Sequence, residues 1–325
     1  MTDMKVGFIG LGQVGGKLAG SLVRNGVATV VLDREEAAMR PLLDAGASAG
    51  TTPAELARAC DAVITCLPSP AISAAVLEES DGLLAGLMSK PGGGTVWMEM
   101  STTDEAEVRR LGALVEAAGG GALDCPVSGG CHRAATGNIA ILAGGERETF
   151  ERVLPLLTIM GRRILHTGAL GSASILKVVT NYLATANLVS VCEALVVAKG
   201  AGQDLATAFE AIRISSGNSF VHETESQVIL NGSRDISFTM DLVAKDVGLF
   251  ASLAERSGIE LEVAPLLVDI FTDGIERYGA RELSPNIIRR LEDTTGLDIT
   301  APGFPPEMTD EEPEVRGAEV ETARG

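Results

Sequence analysis

Apolar positions follow two different rhythms along this chain. As far as about residue 167, short apolar runs alternate with amphipathic stretches: Val6 to Ile9, Ala28 to Leu32, Ala62 to Leu67 and Thr95 to Met98 read as buried strands. Between them, Leu18, Leu22 and Val23, then Ala37 to Leu43, Thr52 to Ala59 and a stretch from Ile72 carry helical spacing, with loops at Pro68-Ser69-Pro70 and Pro91 to Gly94. Ser101-Thr102-Thr103 opens a further helix, and Ile139 to Ala143 and Arg163 to His166 read as the last strands. Strand and helix in alternation predict a parallel, doubly wound sheet. After Gly200 the spacing is helical throughout: Leu205 to Ile214, Phe220 to Leu230, Leu242 to Ser257, Pro265 to Tyr278 and Pro285 to Glu292. Between the two regimes lies Gly168 to Gly200, with no Gly or Pro between Gly171 and Gly200, which predicts one long helix joining two lobes. Apolar residues lie on nearly every side of it, so it is expected to be buried between other elements rather than laid on a surface.

The expected architecture is therefore an α/β, Rossmann-type doubly wound domain over residues 1–167 and an all-helical domain over 168–298, with 168–200 as the shared helix. Residues 299–325 differ in composition. From Ala301 to Gly325 there are four prolines, seven acids and two arginines, little to bury, and hence an expected disordered tail.

Charge narrows the function classes. A net charge of −18 opposes a nucleic-acid surface, which calls for a basic stripe. No run reaches the ~18 uninterrupted apolar residues of a membrane span, and the first residues run straight into a strand rather than a signal peptide. Five cysteines without a CxxC pair fit reduced thiols in a cytoplasm. With three scattered histidines, they suggest no metal centre.

The strand Val6–Ile9 runs into Gly10-Leu11-Gly12-Gln13-Val14-Gly15 and then into a helix, which is GxGxxG in its required setting. Its glycines allow the backbone to approach a pyrophosphate at a helix N-terminus. Asp33 at the tip of the second strand suits the two ribose hydroxyls of NAD and repels a 2′-phosphate. Arg34 beside it can stack on adenine or pair that phosphate, so NADP stays open. Leu67-Pro68 and Ser101-Thr102 fall at the carboxyl ends of strands, where such sheets bind ligands, although Pro loops and Ser or Thr caps are also ordinary punctuation. Ser128-Gly129-Gly130 offers a hydroxyl and two unobstructed amides to a carboxylate, or makes a plain turn. Lys177 and Asn181 stand four apart on the long apolar helix, hence side by side; a snorkelling or salt-bridged lysine is the structural alternative.

The series Gly10-Leu11-Gly12…Gly15, Leu67-Pro68, Ser101-Thr102, Asp124-Cys125-Pro126-Val127-Ser128-Gly129-Gly130, Gly168…Gly171…Lys177…Asn181 and Phe238…Leu242…Lys245-Asp246 resembles the β-hydroxyacid dehydrogenase family over roughly residues 4 to 295. That family includes 3-hydroxyisobutyrate dehydrogenase and tartronate semialdehyde reductase. The resemblance implies Lys177 as the catalytic residue, with the Ser128 loop and Asn181 holding a small carboxylate substrate and its hydroxyl. Lys245 would close over the site, touching cofactor as well as substrate, while Thr102 and Leu67-Pro68 line the nicotinamide ribose. It also implies a homodimer or homotetramer. The chain departs from the family at Val14, Glu99, Cys125, Ala173 and Thr180, where methionine, aspartate, alanine, glycine and asparagine are usual.

The chemistry agrees with the resemblance. Moving hydride between a small 3-hydroxy acid and NAD needs a group that takes and returns the alcohol proton, and a lysine whose burial favours its neutral form can do both. No Tyr-x-x-x-Lys and no zinc-ligand cluster competes with it; His132 is the rival base. An imine reductase on the same scaffold and a non-catalytic nucleotide-binding protein are the other classes, and the presence of Lys177, Asn181 and the Ser128 loop weighs against both.

Overall fold

The computed structural model describes residues 3–90 and 93–322, so Pro91 and Gly92 of the expected Pro91–Gly94 loop lie outside the described residues. The chain divides into two compact units, residues 1–177 with 310–325, and residues 178–309.

The first unit opens with β1 (Val6–Ile9), α1 (Gly15–Arg24), β2 (Thr29–Leu32), α2 (Glu36–Asp44), β3 (Ser48–Ala49), α3 (Pro53–Ala59) and β4 (Ala62–Thr65). It continues through α4 (Pro70–Glu78), α5 (Leu83–Met88), β5 (Val96–Glu99), α6 (Glu105–Ala117), β6 (Gly121–Asp124), β7 (Val127–Ser128) and α7 (Gly130–Ala135). Then follow β8 (Ile139–Gly144), α8 (Arg147–Met160), β9 (Gly161–Gly168) and the start of α9 (Ser172–Gly200). The strands lie in the order β3-β2-β1-β4-β5-β6-β8-β9-β10, where β10 (Ala318–Glu319) comes from the C-terminal segment. The order 3-2-1-4-5-6 is parallel, as in doubly wound dinucleotide-binding sheets. β8 then turns antiparallel to β6.

The sheet forms because its strands are apolar on both faces. β1, β4 and β5 are buried end to end, so each needs helices on both sides. One core, with Phe8, Leu18, Ile64 and Met98, lies on one face; a second, with Leu56, Val63, Trp97 and Leu111, lies on the other. Helix starts follow local chemistry. Thr52, Ser69 and Asp104 accept amide hydrogen bonds at the first turns of α3, α4 and α6, and proline occupies the first position of the first two.

The second unit holds the rest of α9 and α10 (Leu205–Arg213), α11 (Phe220–Asn231), α12 (Met240–Arg256), α13 (Val263–Tyr278), a 3₁₀ turn (Ser284–Ile288) and α14 (Arg289–Thr295). The single helix expected over Pro285–Glu292 is thus split into a 3₁₀ turn and a short α-helix. The core of this unit gathers Leu188, Leu195, Phe209, Ile229, Met240, Val247 and Phe271.

Two expectations are corrected. α9 is not buried on all sides: Thr180, Leu183, Asn187, Ser190 and Val197 form an exposed stripe at helical spacing, with Leu183 53% and Val197 69% exposed. Its mean hydropathy of 1.4 over 18 residues would also suit a membrane span by length and composition, although polar residues punctuate its apolar runs. The C-terminal segment also differs from the expected disordered tail, since its described part is ordered as far as Glu321 and Thr322. Its start is held by apolar burial, with Ile299 fully buried and Phe304 edge-on to Phe209, and polar and charged groups hold the rest. Asn231 Nδ2 donates to Phe304 O at 2.7 Å in the second unit; in the first, Val320 N donates to Ile164 O at 2.7 Å and Arg147 meets Glu319 at 2.6 and 3.0 Å.

Candidate active site

The sheet order reverses between β1 and β4, and the glycine loop leaves β1 at that point. Crowding there leaves room for glycine alone. Gly10 has φ +93°, and a Cβ on it would lie 2.3 Å from Cys66 O; one on Gly15 would lie 2.0 Å from Gly10 O. Gly12 is the opposite case: a Cβ there would meet nothing within 4 Å, so the loop is open on that side. Tight packing behind and open space in front fit a dinucleotide's pyrophosphate approaching the first amides of α1. Leu11 is buried beneath the loop, Gln13 is exposed and Val14 half-buried.

Three acids that close apolar strands gather the surrounding loops. Asp33, just after β2, accepts from Leu11 N at 2.6 Å through Oδ2 and from Glu35 N at 2.9 Å through Oδ1, which ties the β2 tip to the glycine loop. Arg34 beside it is exposed. Glu99, at the end of β5, accepts from Ser101 N at 2.9 Å and from Ser101 Oγ. Ser101 Oγ in turn accepts from Leu67 N at 2.7 Å, so the Leu67-Pro68 and Ser101-Thr102 loops are joined through one hydroxyl. Burial pushes the Glu99 carboxyl up against those hydrogen bonds. Asp124, at the end of β6, accepts from Gly171 N at 2.8 Å and Ser174 N at 2.6 Å. It caps the start of α9, one turn before Lys177. Burial pushes its carboxyl up too, opposed by the same two amides.

Lys177 is 8% exposed, so the sequence-based reading of a buried lysine is what the helix provides. The first amides of α9 are engaged by Asp124, so the field at this helix end comes from a carboxyl as well as from the helix dipole. Asn181 lies one turn further along α9. In the second unit Asn181 Nδ2 donates to Asp246 Oδ2 at 2.5 Å, and Lys245 Nζ lies 2.9 Å from Asp246 Oδ1. Asp246, 2% exposed, thus joins Asn181 to Lys245.

Ser128 ends β7 and is half-buried; Gly129 and Gly130 follow with φ +130° and +87°, a backbone conformation that residues with a side chain rarely adopt. Thr102 is half-buried and Pro68 exposed. The rival base His132 lies within α7 with a buried Nδ1 that has no hydrogen-bond partner among the described residues, and burial lowers its pKa. Among the described residues no carboxylate is hydrogen-bonded to the ring, as a relay would require. The other two histidines have structural partners: His166 meets Gly145 O, and His222 meets Phe209 O and Ser226 Oγ.

Sequence reasoning singled out the loops and the lysine but passed over Asp124, Glu99 and Asp246 as positioning groups. A signal was present for two of them: an acid directly closing an apolar strand, as at Asp33.

A sheet of order 3-2-1-4-5-6, a glycine loop at its switch point and a buried lysine at the start of a long helix define a nicotinamide-dinucleotide-dependent oxidoreductase. Comparison with known proteins agrees. Residues 5–168 match the NAD binding domain of 6-phosphogluconate dehydrogenase, and residues 171–291 match the NAD-binding domain of NADP-dependent 3-hydroxyisobutyrate dehydrogenase. The chain is 31% identical over 299 residues to 2-(hydroxymethyl)glutarate dehydrogenase of Eubacterium barkeri, covering 92% of this chain and 98% of that protein. It is equally 31% identical to NAD-dependent L-serine dehydrogenase of Pseudomonas aeruginosa, covering 90% and 98%. The solved structure of 3-hydroxyisobutyrate dehydrogenase from Salmonella typhimurium superposes with a TM-score of 0.80 at 29% identity, over 89% of this chain and all of that one. The chain belongs to the β-hydroxyacid dehydrogenase family and is an NAD(P)-dependent 3-hydroxyacid dehydrogenase.

Proposed function

We propose that the protein oxidises the primary alcohol of a 2-substituted 3-hydroxypropanoate to the aldehyde, and runs the reverse reduction, with NAD as the preferred dinucleotide. The substrates named for its relatives, 2-(hydroxymethyl)glutarate, L-serine and 3-hydroxyisobutyrate, share a carboxylate and a hydroxymethyl group on one carbon. The observation that carries the reading is Lys177, buried at the start of a helix whose first turn is held by Asp124.

When bound, the nicotinamide ring accepts the hydride released from the carbinol carbon. Neutral Lys177 Nζ takes the hydroxyl proton as the carbonyl forms, and the ammonium returns it in reduction. Ser128 Oγ and the amides of Gly129 and Gly130 are assigned to the carboxylate, Asn181 to the hydroxyl, and Lys245 to the charge of substrate and cofactor. Gly10 to Gly15 would cradle the pyrophosphate, Asp33 with Arg34 the adenosine end, and Leu67, Pro68 and Thr102 the nicotinamide ribose. Asp33 favours NAD because its carboxylate suits two hydroxyls and repels a phosphate. The exposed stripe on α9 supports pairing with a second copy, as a homodimer or homotetramer, and the odd, reduced cysteines support a cytoplasmic setting.

The test is Lys177→Ala with a panel of 3-hydroxyisobutyrate, L-serine and 2-(hydroxymethyl)glutarate. kcat is expected to fall by ~10²–10⁴-fold while NADH affinity holds, and the rise of alcohol oxidation with pH is expected to vanish with the lysine. A variant within a few-fold of the parent would make Lys177 structural.

A further inference from the structure

The family models end at Leu291, yet the ordered chain runs on and its last stretch returns to the dinucleotide-binding unit. Apolar burial does not hold it there, since every residue from Glu311 to Arg316 is exposed. It is held at a few polar points, and they converge on α7. Asp310 Oδ2 accepts from Thr136 Oγ1 and from Asn138 Nδ2, the latter at 2.7 Å; Asn138 Nδ2 also donates to Glu312 O at 2.9 Å. Asn138 is 4% exposed, so Asp310 and Glu312 together take up its otherwise buried donor group. Glu312 Oε1 lies 3.6 Å from Arg133 Nη2. Glu314 engages Arg24 Nη2 at 3.2 Å and Asn25 Nδ2 at 3.0 Å, and the same Arg24 nitrogen donates to Ala135 O at 2.8 Å.

We propose that the segment Asp310–Glu314 positions α7, and through it the Ser128-Gly129-Gly130 loop, for the substrate carboxylate. α7 has six residues, too few to hold a direction by its own hydrogen bonds. Its leading end follows Ser128, which pairs with Ala140 of β8, across two consecutive glycines of positive φ, and buried Cys131 and Ala134 pack its inner face; its trailing end is left to polar contacts. That end is Thr136 to Asn138, closed by Asn138 N donating to Arg133 O at 2.8 Å, and it is where Asp310 binds. The exposed ion pairs of Glu312 and Glu314 contribute little by themselves; Asp310, which satisfies a buried amide and a hydroxyl at once, is the main positioning residue.

This proposal rests on the assignment of the Ser128 loop to the carboxylate, and the experiment separates the two. Asp310→Ala, Asp310→Asn and a chain ending at Thr309 are compared by steady-state kinetics with 3-hydroxyisobutyrate and L-serine, by NADH binding, and by hydrogen exchange of residues 128–138. For Asp310→Ala and the shortened chain, exchange over 130–138 is expected to speed up and substrate KM to rise about tenfold, the equivalent of one hydrogen bond of ordinary strength, with kcat and NADH affinity within twofold. Asp310→Asn keeps an acceptor oxygen and is expected to restore KM to within about twofold. Unchanged exchange over α7, or a parallel fall in kcat and NADH affinity, overturns the proposal even if the shortened chain fails to fold, because Asp310→Ala carries the same readouts. Faster exchange with unchanged KM also overturns it, and equal efficiency for the acid and its methyl ester would then show that the loop assignment itself had failed.

Discussion

Glu225 on α11 provides a stability test whose size follows from burial. The residue as a whole keeps some solvent contact, but its Oε2 is buried with no hydrogen-bond partner among the described residues, and burial alone pushes the carboxyl from 4.5 to about 8. A carboxyl raised in the folded state binds its proton there over a range where the unfolded chain has released it. Folding stability from this group is therefore fully present below pH 4.5 and is lost as pH rises from 4.5 through about 8. At ~1.4 kcal/mol per pH unit over that window, the loss is on the order of 5 kcal/mol at pH 9. Glu225→Gln buries a neutral amide of nearly the same shape. It is expected to match the parent near pH 5 and to exceed it by several kcal/mol at pH 9. Trp97 lies in the other unit, so intrinsic tryptophan fluorescence reports the wrong region. Urea unfolding followed by circular dichroism at pH 5, 7 and 9, with hydrogen exchange of residues 221–230, reads the right one. Parallel pH profiles for parent and variant would refute the reasoning: the carboxylate would then be charged and partnered in the folded protein, for example by a second copy.

Three further outcomes are expected. Asp33→Ser removes the acceptor of Leu11 N, loosening the glycine loop and weakening both dinucleotides, so the informative readout is the NADH to NADPH ratio of kcat/KM; this should narrow or reverse, and a parent that already prefers NADPH would show Arg34 to dominate. Converting the substrate acid to its amide or methyl ester is expected to cost at least ~tenfold in kcat/KM, since charge-assisted hydrogen bonds contribute ~1.5–3 kcal/mol each, and equal efficiency would leave no carboxylate site. Asp124→Asn keeps one acceptor for Gly171 or Ser174 and turns an NH2 toward the other amide; the unmet amide costs ~1–3 kcal/mol, partly offset by losing a buried charge, and kcat should fall ~10–100-fold as Lys177 shifts, with NADH affinity kept. An unchanged kcat would mean that the start of α9 does not depend on Asp124.

Whatever depends on neighbours a few residues apart was legible in the chain. The glycine loop, the βαβ alternation, the long helix and Lys177 four residues before Asn181 all follow from local spacing and from the backbone demands of a tight turn. Short or paired elements were not: β3, β7 and β10 have two residues each and exist only because a neighbouring strand offers free hydrogen-bonding groups. α8 shows the same limit, since an amphipathic run between two strands does not announce which face it covers until the sheet is built. The acidic tail is the sharpest case. By composition it has little to bury and reads as disordered, because composition measures only the apolar contribution to order. The folded chain presents Thr136, Asn138, Arg24 and Arg147 where those acids can reach them, across more than 170 residues of sequence in each case. Likewise Asp33 and Asp124 look in sequence like strand endings, and only the parallel sheet brings their carboxylates to the amides of Leu11, Gly171 and Ser174. The sequence by itself determined which chemical groups the protein carries and the local turns that present them. The tertiary structure decided which distant groups meet, because the partners of a carboxylate such as Asp124 are chosen by strand order and not by distance along the chain.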